Sequence, residues 1–263
     1  MSDECKENSS LIIHHLSLKE MNNQNNNSVL PIAIIGLVLL VAVVGGWFWY
    51  SSTAKVNTPT NNTTKTPDAK KLDEQKKLYE TAPPGANPPN LLGAPNATVT
   101  VEEFADFQCG TCAVKHPVIK EVIAAYGSRI KFIFRSFPLT TIHDKAYDAA
   151  VAAEAAGLQG KYWEMQNQLF TNQSSWATKD PVAFRGVLEE YATKIGLDVE
   201  KFKTDMAGLG AKSRVDLDMQ RGKSLRVGST PTFYVNGKPV SLEQMTAEGF
   251  KQLIDAELQK TQQ

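Results

Sequence analysis

Residues 99–112, VTVEEFADFQCGTC, decide how the chain is read. Their first half mixes β-branched and aromatic side chains and predicts a strand over 98–107. A helix is expected from about 109 to 126, because Val118, Ile119, Val122, Ile123 and Tyr126 recur at helical spacing. Pro117 is expected to kink it and Gly127 to stop it. Cys109 therefore stands where strand gives way to helix. A helix start presents unpaired N–H groups and partial positive charge, which favour a thiolate. Such a sulfur is both the nucleophile and the better leaving group. Cys112 lies one turn further on, close enough to close a disulfide but more covered. Cys109 is read as the attacking sulfur and Cys112 as the resolving one.

Working outward, IKFIF at 130–134 predicts a second strand, central and parallel to the first. Strand signals then vanish from 138 to 227. An Ala-rich run at 146–156 has high helix propensity. Tyr162, Trp163, Met165, Leu169 and Phe170 mark another helical face. Asp180-Pro181 is a cap followed by proline at the first helical position. Leu197-Asp198 with Phe202 fits a cap plus hydrophobic staple. A last helix is expected from about 212 to 225, making four or five in this block. Strands are expected at 232–235 and 238–240, joined by the hairpin signal Asn236-Gly237. Phe250, Leu253, Ile254 and Leu258 then describe an amphipathic C-terminal helix. The order implies an α/β sheet with an inserted helical subdomain at about 138–227.

The 263 residues are unevenly composed upstream of this block. The 28 basic and 28 acidic side chains balance, so no nucleic-acid partner is expected. Residues 1–28 are polar and Asn-rich and read as a disordered tail. Residues 29–50 carry no charge and are long enough to cross a bilayer as a single helix. Trp47, Trp49 and Tyr50 at one end suit the membrane interface. The competing reading is a cleaved signal peptide, with small residues at Ser52 and Ala54. Against it, the apolar run is too long and lacks a basic leader. Lys6 and Lys19 precede the run, and Lys55, Lys65 and Lys70 follow it. That count leans towards a cytoplasmic C-terminal part. Met21 is an alternative start that would remove Cys5. Residues 51–90 read as a flexible linker with a short helix at 70–80, because TAPPGANPPN cannot be helical. The folded domain is then expected from about Leu91.

Two other uses of Cys109 and Cys112 compete with redox chemistry. A zinc site needs about four ligands, and only His116 is near. Inert buried cysteines are the second alternative, but a helix start is a reactive position.

VTVEEFADFQCGTC, Pro117 five residues after the second cysteine, and GSTPTFYVNGKPV resemble the thioredoxin superfamily. More narrowly, the chain resembles the DsbA family of exported thiol–disulfide oxidoreductases. FRSFPLTTIHDKA and AAEAAGLQGKYWEMQNQLF are similar to the start of that family's helical insertion. The resemblance covers Leu91 to the C-terminus and implies a thioredoxin-like fold with no cofactor beyond the redox-active disulfide. It matches Pro231 to the family's cis-proline, preceded by Thr230, whose backbone is left free to pair with a substrate segment. It matches Glu103 to a buried glutamate that exchanges a proton with Cys112. The competing reading of Glu103 is a solvated strand residue, and Glu102, on the opposite strand face, is the internal comparison. His143 receives no role.

The dipeptide departs from the best-known pattern of that family. Gly110-Thr111 lacks the Pro-His that makes the thiolate exceptionally stable. Thr111 offers a hydroxyl but no positive charge. A milder oxidant is therefore expected.

The resemblance implies a membrane-tethered dithiol oxidase on the extracytoplasmic side. It would act on cysteine-containing exported proteins and be reoxidised by a membrane quinone-linked partner. A reductase or isomerase fed by an electron donor, and a tethered chaperone for unfolded chains, are the alternatives.

Overall fold

A computed structural model of the chain describes residues 69–260, with side chains from residue 71. These belong to one compact unit, Lys65–Gln263. The tail, the apolar run and the sequence up to residue 68 lie outside the described residues.

The described chain opens with helix α1 (Ala69–Thr81) and then strand β1 (Asn90–Gly93). Strand β2 (Val99–Ala105) leads into helix α2 (Gly110–Tyr126), a short 3-10 turn and strand β3 (Ile130–Ser136). Six helical segments follow: α3 (Ala146–Gly157), α4 (Tyr162–Thr171), the four-residue α5 (Gln173–Trp176), α6 (Pro181–Lys194), α7 (Val199–Ala207) and α8 (Leu209–Ser224). Strands β4 (Thr232–Val235) and β5 (Lys238–Pro239) and helix α9 (Ala247–Lys260) complete the unit.

The five strands lie in the order β1-β3-β2-β4-β5. β2 and β3 are parallel, as the buried run of β3 leads one to expect, but β2 rather than β3 is central. β1 was not anticipated. It pairs antiparallel to the outer edge of β3, Leu91 opposite Ile133. Asn236 and Gly237 both adopt positive φ, +46° and +77°, as the hairpin signal demands. Asp180 accepts hydrogen bonds from the backbone N–H groups of Val182 and Ala183, and Asp198 from that of Lys201. Both caps work as read. Helix α2 runs through Pro117, and Gly127, at φ +52°, ends it.

One expectation needs correction. The linker and the domain start near Leu91 do not describe 82–90, which is part of the packed unit. Its prolines forbid a helix but still offer carbonyl oxygens. Arg221 donates to Pro83 O at 2.9 Å, and Arg135 to Pro84 O and Ala86 O at 2.8 and 2.9 Å. Asp218 accepts from Ala86 N at 2.8 Å. Glu102, the internal comparison for Glu103, is buried as well. A central strand is covered on both faces, so this side chain is 1% exposed. Arg135 and Arg221 hold its two carboxylate oxygens at 2.8 Å. Burial pushes its pKa up, but the hydrogen bonds and charge of Arg221, with those of Arg135, leave it below the usual range.

Candidate active site

Cys109 is the N-cap of α2, with φ −72° and ψ 118°, and its backbone N–H donates to Asp106 O at 3.1 Å. The chain leaves the central strand at Ala105 and must turn before α2 can start. Asp106 makes that turn, its Oδ1 accepting from Gln108 N at 2.7 Å. Both cysteines are thiols in this structure. Cys109 keeps 9% of its surface while Cys112 keeps none, so an incoming sulfur can reach only the first.

The two thiols differ in acidity for physical reasons. A hydrogen bond from the Cys112 thiol is the largest influence on Cys109. Burial opposes it, and Thr230 and the backbone N–H groups of Cys112 and Thr111 reinforce it. The Cys109 pKa falls to about 5. The helix start thus acts through named N–H groups, as the sequence suggests, but the partner thiol contributes more. Burial, the hydrogen bond given to Cys109 and the negative charge there all push Cys112 far above the usual thiol range. This acidity lies between the values of ~3.5 for DsbA and ~7 for thioredoxin.

The second wall of the site comes from the start of the neighbouring strand, β4. The Thr230–Pro231 bond is cis. The Cys109 thiol donates to Thr230 O at 3.4 Å. The Thr230 hydroxyl is buried and has no hydrogen-bond partner among the described residues, which leaves it available to a thiolate. Residues 121 apart in sequence therefore meet at one sulfur because β4 pairs antiparallel to β2, Phe104 opposite Thr232.

Glu103 points to the opposite face from Glu102 and is 4% exposed. Burial raises its pKa to about 8. Its charge, when present, raises Cys112 further. A cleft of about 310 Å³ reaches Glu103 between α2 and α4, lined by His116, Lys120, Phe132, Trp163 and Asn167. Gly110 and Thr111 are exposed on the first turn of α2. Among the described residues, no group of three or more His, Cys, Asp or Glu is placed to hold a metal.

A latch between the site and the helical block was not read from the sequence. Asp106 Oδ2 accepts from Leu139 N at 2.8 Å and lies 2.7 Å from His143 Nδ1. Gln173 donates to Phe107 O and Cys109 O at 2.7 and 2.9 Å. Gln108 Oε1 accepts from Lys145 N at 2.7 Å. Phe107 and Phe170 pack with ring centroids 4.8 Å apart. The only local signal was an aspartate at a strand end, three residues before the cysteine.

Residues 86–256 match a family described as thioredoxin. Among curated proteins, the chain is 38% identical over 151 residues to the Na(+)/H(+) antiporter NhaA 1 of Mycolicibacterium gilvum, which is 57% of this chain and 23% of that protein. It is 34% identical over 173 residues to the Na(+)/H(+) antiporter NhaA 3 of Salinispora tropica, 64% of this chain and 25% of that protein. The chain spans about a quarter of the length of these relatives. Among solved structures, BdbD from Bacillus subtilis aligns with a TM-score of 0.58 and 24% identity, covering 68% of this chain and 98% of that one. The thiol-disulfide exchange protein alpha-DsbA2 from Wolbachia pipientis aligns at 0.57 with 18% identity, covering 72% and 98%. MdbA, a thiol-disulfide oxidoreductase from Corynebacterium diphtheriae, aligns at 0.53 with 19% identity, covering 69% and 98%. At these identities the alignments establish a shared fold.

Proposed function

The chain belongs to the thioredoxin family, and from that premise we propose that it is a membrane-tethered thiol–disulfide oxidoreductase that oxidises cysteines of exported polypeptides. The observation that carries this reading is the asymmetry of the two thiols, one held near pKa 5 and keeping 9% of its surface, the other fully buried and pushed up. An acidic Cys109 stabilises the reduced pair and so makes the disulfide oxidising.

The reaction starts from the Cys109–Cys112 disulfide. A substrate thiolate attacks Cys109 Sγ, the disulfide breaks, and Cys112 leaves as a thiolate. Cys112 takes up a proton readily because its pKa is high, and Glu103, protonated up to about pH 8, is the donor beside it. A second substrate thiolate then attacks the substrate sulfur of the mixed disulfide. Cys109 departs as a thiolate, which its low pKa favours. The substrate has lost two electrons, and the pair has gained them. A membrane quinone-linked partner takes these electrons and restores the disulfide.

The surface around Cys109 suits unfolded chains. Val114, Ile142 and Leu242 are large apolar side chains left exposed. Lys115 donates to Met245 O at 2.7 Å, which brings the Leu242 turn beside the start of α2. The Asp106–His143 contact does the same for Ile142. The free backbone at Thr230–Pro231 would pair with the substrate strand.

The apolar run at 29–50 would hold the domain at the membrane. The domain faces the extracytoplasmic side, where disulfides persist. The lysine count leans the other way by three to two and decides little. Similarity to segments of antiporters, which are membrane proteins, supports a module that works at a membrane.

The test is Cys109→Ser in the full chain with a dithiol peptide as substrate. Turnover is expected to be abolished. Full retained oxidation contradicts the proposal.

A further inference from the structure

Helix α1 does more than join the domain to what precedes it. Leu78, Tyr79 and Ala82 pack against the cluster formed by Phe104, Phe137, Leu225 and Tyr234. Tyr79 packs against Tyr234 with ring centroids 5.3 Å apart and planes tilted by 41°, and the Arg221 guanidinium lies 4.7 Å from the Tyr79 ring centre. This side fixes the helix to the domain. A neighbouring side, carrying Lys71, Glu74 and Leu78 at helical spacing, is not fully covered. It forms one wall of an open groove of about 570 Å³. The opposite wall is Leu225, Arg226, Val227 and Gly228, and the floor is Thr232, Tyr234 and Pro239.

Two features of this groove point to an occupant. The first is continuity with the site. Gly228 stands two residues before Thr230, whose carbonyl meets the Cys109 sulfur, and Thr232 stands just after Pro231. A chain held at Cys109 in extended form advances ~3.3 Å per residue, so its next few residues reach this groove. The second is charge. Lys71, Lys77 and Arg226 line the groove against the single acid Glu74. None of these four side chains makes an ion pair among the described residues.

We propose that the groove between α1 and residues 225–228 is a substrate subsite, which binds the extended stretch flanking the reacting cysteine and favours acidic side chains there. The inference rests on the exchange activity proposed above and adds a preference to it. The helix preceding the domain is then part of the reading surface for the substrate.

The test uses the full chain and two dithiol peptides identical except for flanks of Glu or of Lys beside one cysteine. A second version carries Lys71→Glu, Lys77→Glu and Arg226→Glu, all on exposed residues outside the packed side of α1. Dithiothreitol, too small to span the groove, reports the basal exchange rate. The wild type is expected to oxidise the acidic peptide roughly fivefold faster than the basic one, with the gap closing at high salt. The charge-reversed protein should invert the order and keep the rate with dithiothreitol. Equal rates with both peptides in both proteins, alongside normal dithiothreitol oxidation, overturn the subsite and leave the activity standing. A charge-reversed protein that speeds up with both peptides alike means that the chain's own N-terminal stretch fills the groove, and it also overturns the subsite. Failure of the wild type to oxidise dithiothreitol overturns the activity itself.

Discussion

Glu102 and Glu103 are neighbours on the central strand, equally buried, and opposite in electrostatic character. Glu102 faces the side where Arg135, Arg221 and Asp218 meet, and every oxygen is held. Its pKa lies below the usual value. Glu103 faces α2 and α4, where burial sets its acidity, and its pKa rises to about 8. Burial is the same in both cases, so the partner decides the outcome. One carboxylate became structural, tying β2 to β3, α8 and the 82–90 segment. The other became a proton store beside a buried thiol.

The largest effect is expected from Glu102→Gln. It leaves Arg221 buried without its counter-charge and Arg135 with Asp218 alone, which costs roughly 3–5 kcal/mol of stability. Urea unfolding of the reduced protein at pH 7 measures this. A loss below about 1 kcal/mol would mean that the buried network contributes little.

An effect of opposite sign is expected from Glu103→Gln. Below pH 4.5, the ordinary value, the glutamate is neutral whether folded or unfolded. Between there and about pH 8, the unfolded chain ionises while the folded chain holds its proton. Wild-type stability therefore falls with rising pH in that window, by roughly 1.4 kcal/mol per pH unit relative to the glutamine variant. Parallel pH–stability curves for the two proteins would show that Glu103 ionises normally, and the contrast with Glu102 would collapse. The variant should also slow exchange, because Cys112 loses its adjacent proton donor.

Strands β2 to β5, the Cys109 helix start, the hairpin and the two aspartate caps were legible because each is written in residues close in sequence. Asn236-Gly237 and Asp180-Pro181 carry their geometry locally. The burial of Glu102 was not legible, because strand alternation presumes one wet face and β2 has none. Residues 82–90 were misjudged for a related reason. A proline-rich run reads locally as a linker, and only Arg135 and Arg221, far along the chain, show why it is packed. The Asp106–His143 latch spans 37 residues and left no periodic trace. Cys109 and Cys112 were found by spacing, whereas the contact of Cys109 with Thr230 depended on a family resemblance.

The central claim is that the acidity difference between Cys109 and Cys112 makes their disulfide an oxidant. Its most direct test is the reduction potential of the pair, measured in the full chain by equilibration with glutathione. A thiolate of intermediate stability should give a value between roughly −120 and −200 mV. A potential near −270 mV, that of a typical reductant, would contradict the account and reverse the direction of electron flow.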